Sequence, residues 1–161
     1  MNEFDEYPGV EVLRRGLPGL LESIEEVRQV HGEFEKAAES SERRRTFQKL
    51  FEAVIDRWVS GELVVAEVES WPDFCARVCS GLARIANGAA AGSDVVVFTS
   101  GGPIGVAMRR ALNLSHADTL QLTWMSRNAS FSEFLASGER FTLSAFNAHP
   151  HLDDDSLLTY R

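Results

Sequence analysis

The run Asp94-Val95-Val96-Val97-Phe98-Thr99-Ser100-Gly101-Gly102-Pro103 constrains the fold more than any other stretch of the chain. Residues 95–99 are all β-branched or aromatic, without polar alternation, which predicts a strand covered on both faces. Ser100, Gly101 and Gly102 end that strand. Ile104, Met108, Ala111 and Leu112 then recur at helical spacing, with Pro103 at the first helical position, where its missing N–H costs nothing. A doubly covered strand needs neighbours in its sheet and helices on its faces, so the run predicts an α/β domain rather than a bundle.

The flanking sequence supplies such elements. Residues 1–16, punctuated by Pro8, Gly9 and Gly16, read as a loop. Leu20, Leu21, Ile24, Val27, Val30 and Phe34 predict one amphipathic helix from Leu17 to about Ala38, with Pro18 in its first turn. Phe47, Leu50, Phe51, Val54, Ile55 and Trp58 predict a second helix, N-capped by Ser41 and closed by Gly61. After a short segment from Leu63 to Ser70, Trp71, Phe74, Cys75, Val78, Leu82 and Ile85 predict a third, ended by Asn87-Gly88. Beyond Asn113, the alternation in Leu120-Gln121-Leu122-Thr123-Trp124-Met125 predicts a strand. The segments 130–135 and 140–146 predict a hairpin around Ser137-Gly138-Glu139, and residues 153–161 a frayed tail. The expected architecture is a single α/β domain over residues 1–161: three layers, with a mixed, mostly parallel sheet flanked by helices.

Composition narrows the function classes. The 161 residues carry 16 Lys+Arg against 24 Asp+Glu, a net charge of −8 that repels a nucleic-acid backbone. The basic run Arg43-Arg44-Arg45 lies among Glu39, Glu42 and Gln48 and reads as a solvated helix face. Apolar stretches fall far short of the roughly 20 residues that cross a bilayer, and the acidic N-terminus does not resemble a signal peptide, so a cytoplasmic protein without membrane contact is expected. Cys75 and Cys79, four apart, share a helical face as small core residues rather than forming a redox or zinc pair. His31 reads as a helix-surface residue and His116 as a loop residue. His149 and His151 have no companions at metal-ligand spacing, so no metal or cofactor is expected.

The strand–turn–helix unit is where chemistry can reside. Gly101 and Gly102 permit close backbone approach, the first N–H groups of the helix point out of its positive end, and Ser100 adds a hydroxyl at the carboxyl end of the strand. Two readings stand at this level: an anion cradle for a phosphate-type ligand, and a plain strand-to-helix turn. The pattern is neither a Walker A loop nor GxGxxG.

The same run, Val95 to Ile104, resembles the second signature of the histidine phosphatase superfamily, the phosphoglycerate-mutase-like fold, in which an apolar strand ends in His-Gly-Gly before a helix. Other segments resemble the family in the same order: Asn2-Glu3-Phe4-Asp5; Glu69-Ser70-Trp71 with Phe74 and Arg77; Asn128-Ala129-Ser130; and Phe146-Asn147-Ala148-His149 with His151-Leu152. The resemblance implies hydrolysis or transfer of phosphate from a small phosphomonoester, with Glu3 as the candidate general acid. It implies phosphate binding by Ser100, Gly101 and Gly102.

Two departures qualify it. The family's nucleophile is a histidine in Arg-His-Gly at the end of a first strand, and the 161 residues contain no Arg-His-Gly, so the chain resembles the C-terminal two-thirds of a member. Ser100 stands where the family has its second histidine, and a serine cannot supply imidazolium charge to the transferring group. The expectation is a phosphate-binding domain with very weak or absent turnover. The alternative is a non-catalytic module of the same fold that binds phosphate or another protein. Either way, the 94–99 strand would lack a neighbour, so a homodimer or partner chain covering an open sheet edge is expected.

Overall fold

A computed structural model describes residues 2–160, and the chain divides into two compact units, Tyr7–Pro72 and residues up to Glu6 together with Asp73 onward.

The 7–72 unit is helical. It holds α1 (Gly9–Ser23), α2 (Glu25–Lys36) and α3 (Ser40–Ser60), with α3 packed against both others. Its core contains Val12, Leu20, Val27, Leu50, Val54 and Ile55. Tyr7, Trp58 and Trp71 form an aromatic cluster with centroids 5.4–6.4 Å apart. The loop expected over residues 1–16 is a correction: a 3-10 turn at Asn2–Phe4 precedes α1, which starts at Gly9. The glycines that suggest breaks serve close packing instead. A Cβ on Gly9 would lie 2.8 Å from the Phe51 ring, and one on Gly16 would lie 2.6 Å from Leu63. The single helix expected from Leu17 to Ala38 is two, because Ile24 is extended (φ −120°, ψ 112°). Arg28 stabilises that break by donating to the carbonyls of Leu21 and Glu22 at 2.9 and 3.0 Å, which α1 leaves unpaired. α3 starts after Glu39 rather than Ser41 and closes, as expected, on left-handed Gly61 (φ 82°).

The second unit carries most of α4 (Trp71–Gly88), then α5 (Gly101–Leu112), α6 (His116–Trp124), β1 (Phe131–Ser137) and β2 (Arg140–Ala148). The expected hairpin is present. β1 and β2 pair antiparallel with Phe134 opposite Leu143 and Ser137 opposite Arg140, and Gly138 takes the positive φ of the turn. α5 packs on α6 and on β2. Cys75 is buried and Cys79 half-buried on α4.

Four expectations in this unit are corrected. Residues 120–125 form no strand: α6 covers most of them, because Ser115 accepts from the Asp118 N–H at 3.1 Å and caps a helix that buries Thr119, Leu120 and Thr123 on one face. His116 accordingly opens α6 rather than lying in a loop. The tail forms a second 3-10 turn at Asp155–Leu157 and a bridge from Tyr160 to Arg127.

The fourth lies in the run Asp94–Thr99. Residues 94–99 make no backbone ladder: Val95, Val96, Val97 and Phe98 are 50, 76, 39 and 94% exposed, and among the described residues their backbone groups bond to no other backbone. The chain is a helix-rich α/β protein, and the sheet shown among the described residues is the two-stranded antiparallel one rather than the three-layer, mostly parallel sheet expected. The physical reason is pairing, since β propensity creates no strand without a neighbour to satisfy its N–H and C=O groups.

The α5–α6 contact depends on Gly105. A Cβ there would collide with the Thr123 hydroxyl, which is committed to the Thr119 carbonyl at 2.9 Å, and would touch Thr119 Cγ2 at 3.4 Å. Gly105→Ala is expected to cost about 1–3 kcal/mol by overpacking. Chemical denaturation checks this, and an unchanged midpoint would contradict the contact.

Candidate functional site

Ser100 is the N-cap residue of α5, extended at φ −109°, ψ 180°, and its hydroxyl makes no capping bond. Gly101 and Gly102 follow as buried helical residues, and Pro103, in the first turn rather than at its first position, brings no N–H. The Ile104 N–H reaches back to the Ser100 carbonyl at 3.4 Å and starts the helical ladder. Two donors of the first turn therefore remain, on Gly101 and Gly102. The Gly102 N–H donates to the Glu6 carboxylate, 3.1 Å from Oε2. Among the described residues, the Gly101 N–H and the Ser100 hydroxyl have no hydrogen-bond partner. Arg109 and Arg110 occupy the last turn, where cations complement the other end of the dipole.

Glu6 arrives on residues 2–6, and three sets of contacts hold that segment. Arg77 of α4 donates through Nη1 to the carbonyls of Asn2, Glu3 and Asp5 at 2.7, 3.1 and 3.1 Å. The Thr99 hydroxyl donates to the Phe4 carbonyl at 2.6 Å, tying the segment to the residue before Ser100. Gly81 makes room on α4, since a Cβ there would lie 2.8 Å from Glu3 Cβ and 2.9 Å from the buried Phe4 ring.

Of the residues expected to act, Ser100, Gly101 and Gly102 are together at the start of α5. Glu3 is on the neighbouring segment, but its carboxylate is paired with Arg84 of α4 at 2.7 Å. A proton donor to a leaving group would first have to leave that ion pair, which is partly solvated and therefore weak. Glu6 was not anticipated: three acids crowd residues 3–6, and nothing in the sequence distinguishes the one whose carboxylate meets a helix end.

The remaining histidines have other environments. His31 lies on α2, 4.0 Å from Glu35. His116 is held below its ordinary imidazole value, first by burial and then by Arg109. His149 contacts Arg127, whose N–H donates to the Asn147 side chain at 2.8 Å, while Asn147 Nδ2 donates to the Met125 carbonyl at 2.9 Å. These bonds join β2 to the end of α6. Among the described residues no cluster of His, Cys, Asp and Glu is placed to hold a metal ion, and no helix is long and apolar enough to cross a membrane.

The model of the histidine phosphatase superfamily (branch 1) matches residues 19–149, and the chain belongs to that superfamily. The matched span includes Ser100, Gly101 and Gly102 and leaves out residues 2–6. No curated protein and no solved structure matches the chain.

Arg77→Ala should release residues 2–6, because a charged donor shared by three carbonyls is lost at once. Chymotryptic cleavage after Phe4 is expected to accelerate at least about tenfold, an opening free energy lowered by about 1.4 kcal/mol. Arg84→Ala, which removes one exposed ion pair, should change it little. Equal cleavage of Arg77→Ala and the unaltered chain would refute the clamp.

Proposed function

We propose that the start of α5 is a phosphate-binding cradle, formed by Ser100, Gly101 and Gly102, that takes the phosphoryl group of a small phosphomonoester. The observation that carries this reading is the pair of unmet donors, the Gly101 N–H and the Ser100 hydroxyl, at a helix N-terminus inside the span matched by a phosphatase superfamily. Phosphoryl oxygens suit such a site because the helix end offers oriented N–H groups and partial positive charge together. Glu3, once free of Arg84, is the candidate proton donor to the leaving group.

Turnover by this chain is very weak or absent. Serine at position 100 donates a hydrogen bond but brings no positive charge to the transferring group, and the 161 residues offer no Arg-His-Gly nucleophile. Loss of such members of a catalytic set costs several orders of magnitude. On a generic aryl phosphate, release of phosphate at background rate is the expected outcome.

A second reading, a binding or interaction module of the same fold, is favoured by the exposed run Val95–Phe98. We propose that residues 94–99 become a strand when another strand pairs with them, from a second copy or a partner chain, completing a mostly parallel three-layer sheet. The two readings are compatible, since such pairing would brace the strand end that carries Ser100.

Phosphate or orthovanadate at about 100 times its Kd should stabilise the chain by roughly 2.7 kcal/mol and raise Tm by several degrees. Gly101→Val should abolish the rise, and Ser100→Ala, which removes one donor, should weaken binding about two- to tenfold. A flat response, both in the unaltered chain and in a Glu6→Ala variant that uncovers the Gly102 N–H, would overturn the cradle.

A further inference from the structure

We infer that Glu6 is an intramolecular plug of the α5 cradle, a built-in anion that a phosphoryl ligand must displace. The inference rests on the phosphate reading above and concerns the regulation of that site. Its starting observation is the carboxylate of Glu6 on the Gly102 N–H at 3.1 Å, beside two donors that the same carboxylate leaves unmet. A carboxylate and a phosphoryl group want the same thing from a helix end, namely N–H donors and the positive pole of the dipole. Both cannot hold the Gly102 N–H, and two anions at hydrogen-bond distance of one donor repel each other.

The surrounding contacts make Glu6 a tethered competitor rather than a passing one. Arg77 fixes the carbonyls of Asn2, Glu3 and Asp5, and Thr99 fixes that of Phe4, so the backbone leading to Glu6 is held by bonds that do not involve its side chain. Displacement of the plug therefore asks for movement of the Glu6 side chain and not for release of residues 2–5. Tethering gives it an effective concentration in the millimolar range or above, which a free ligand must overcome. The apparent Kd is the intrinsic Kd divided by the fraction of molecules with the plug withdrawn.

Its consequence is discrimination. Inorganic phosphate, which offers only the phosphoryl group, has to meet the full cost of displacing Glu6. A phosphomonoester with an organic part can offset that cost through contacts elsewhere.

The test is calorimetric titration of inorganic phosphate into the full chain and into Glu6→Ala, Glu6→Gln and Glu22→Gln. Glu22, an exposed acid on α1, controls for the loss of one negative charge. A plug predicts binding about tenfold tighter in Glu6→Ala, the ratio expected for losing one charge-assisted bond at a helix end. Glu6→Gln, whose amide oxygen can still accept from Gly102, should show a smaller gain, and Glu22→Gln should stay within about twofold of the unaltered chain. Binding confined to Glu6→Ala also supports the plug, as its extreme case. Equal affinity in Glu6→Ala and the unaltered chain overturns the plug and leaves the cradle standing. Equal gains in Glu6→Ala and Glu22→Gln assign the effect to net charge and overturn it too. No binding in any variant overturns the cradle, and the plug with it. Should Glu6→Ala fail to fold, Glu6→Gln and Glu22→Gln decide between the same outcomes.

Discussion

The start of a helix presents backbone donors that the helix itself cannot satisfy, and much of the second unit is arranged around that problem at α5. Pro103 removes one donor, the Ser100 carbonyl takes the Ile104 N–H, and Glu6 takes the Gly102 N–H. Glu6 can do so because Gly81 admits Phe4 against α4, and because Arg77 and Thr99 collect the carbonyls of residues 2–5. A glycine on one helix thus helps decide what reaches the end of another. The donors left over, on Gly101 and Ser100, are the chemical resource on which the proposed phosphate-binding role rests.

The same region holds a second unmet requirement. Val95–Phe98 is among the most β-prone segments of the chain, yet it lies exposed and without a ladder. Exposed apolar chain with open backbone groups is a template for pairing. Because Thr99 links this segment to Phe4, and Ser100 follows directly, pairing at 94–99 and occupancy of the cradle would act on adjacent residues. Strand completion would stiffen the approach to α5 and so couple the proposed pairing to the proposed anion site through the Thr99–Ser100 junction.

Legibility in the sequence followed the range of the interactions concerned. α3, α4, the β1–β2 hairpin and the helix after Gly102 rest on local periodicity, on Gly61, and on the turn at Gly138, and all were readable. Gly9 and Gly16 misled because a glycine that breaks a helix and one that admits Phe51 or Leu63 look alike until the partner is known. Residues 120–125 misled because two-residue alternation of Leu120, Leu122 and Trp124 outweighed the local cap Ser115–Asp118. Residues 94–99 show the reverse limit: propensity was right about the kind of segment, but a strand also needs a neighbour. At the site, Ser100, Gly101 and Gly102 were legible as a contiguous motif. The pairing of Glu3 with Arg84 and the placement of Glu6 on Gly102 are contacts across about 80 and 96 residues, and no spacing rule encodes them.

On the proposed reading, the first turn of α5 binds phosphoryl oxygens through its own backbone. Its most direct test is to follow the amide resonances of Gly101 and Gly102 while inorganic phosphate is added to the ¹⁵N-labelled chain. These two are expected to shift first and furthest, along one saturating curve. Resonances of Gly101 and Gly102 that stay fixed while phosphate moves others, or moves none, would contradict it.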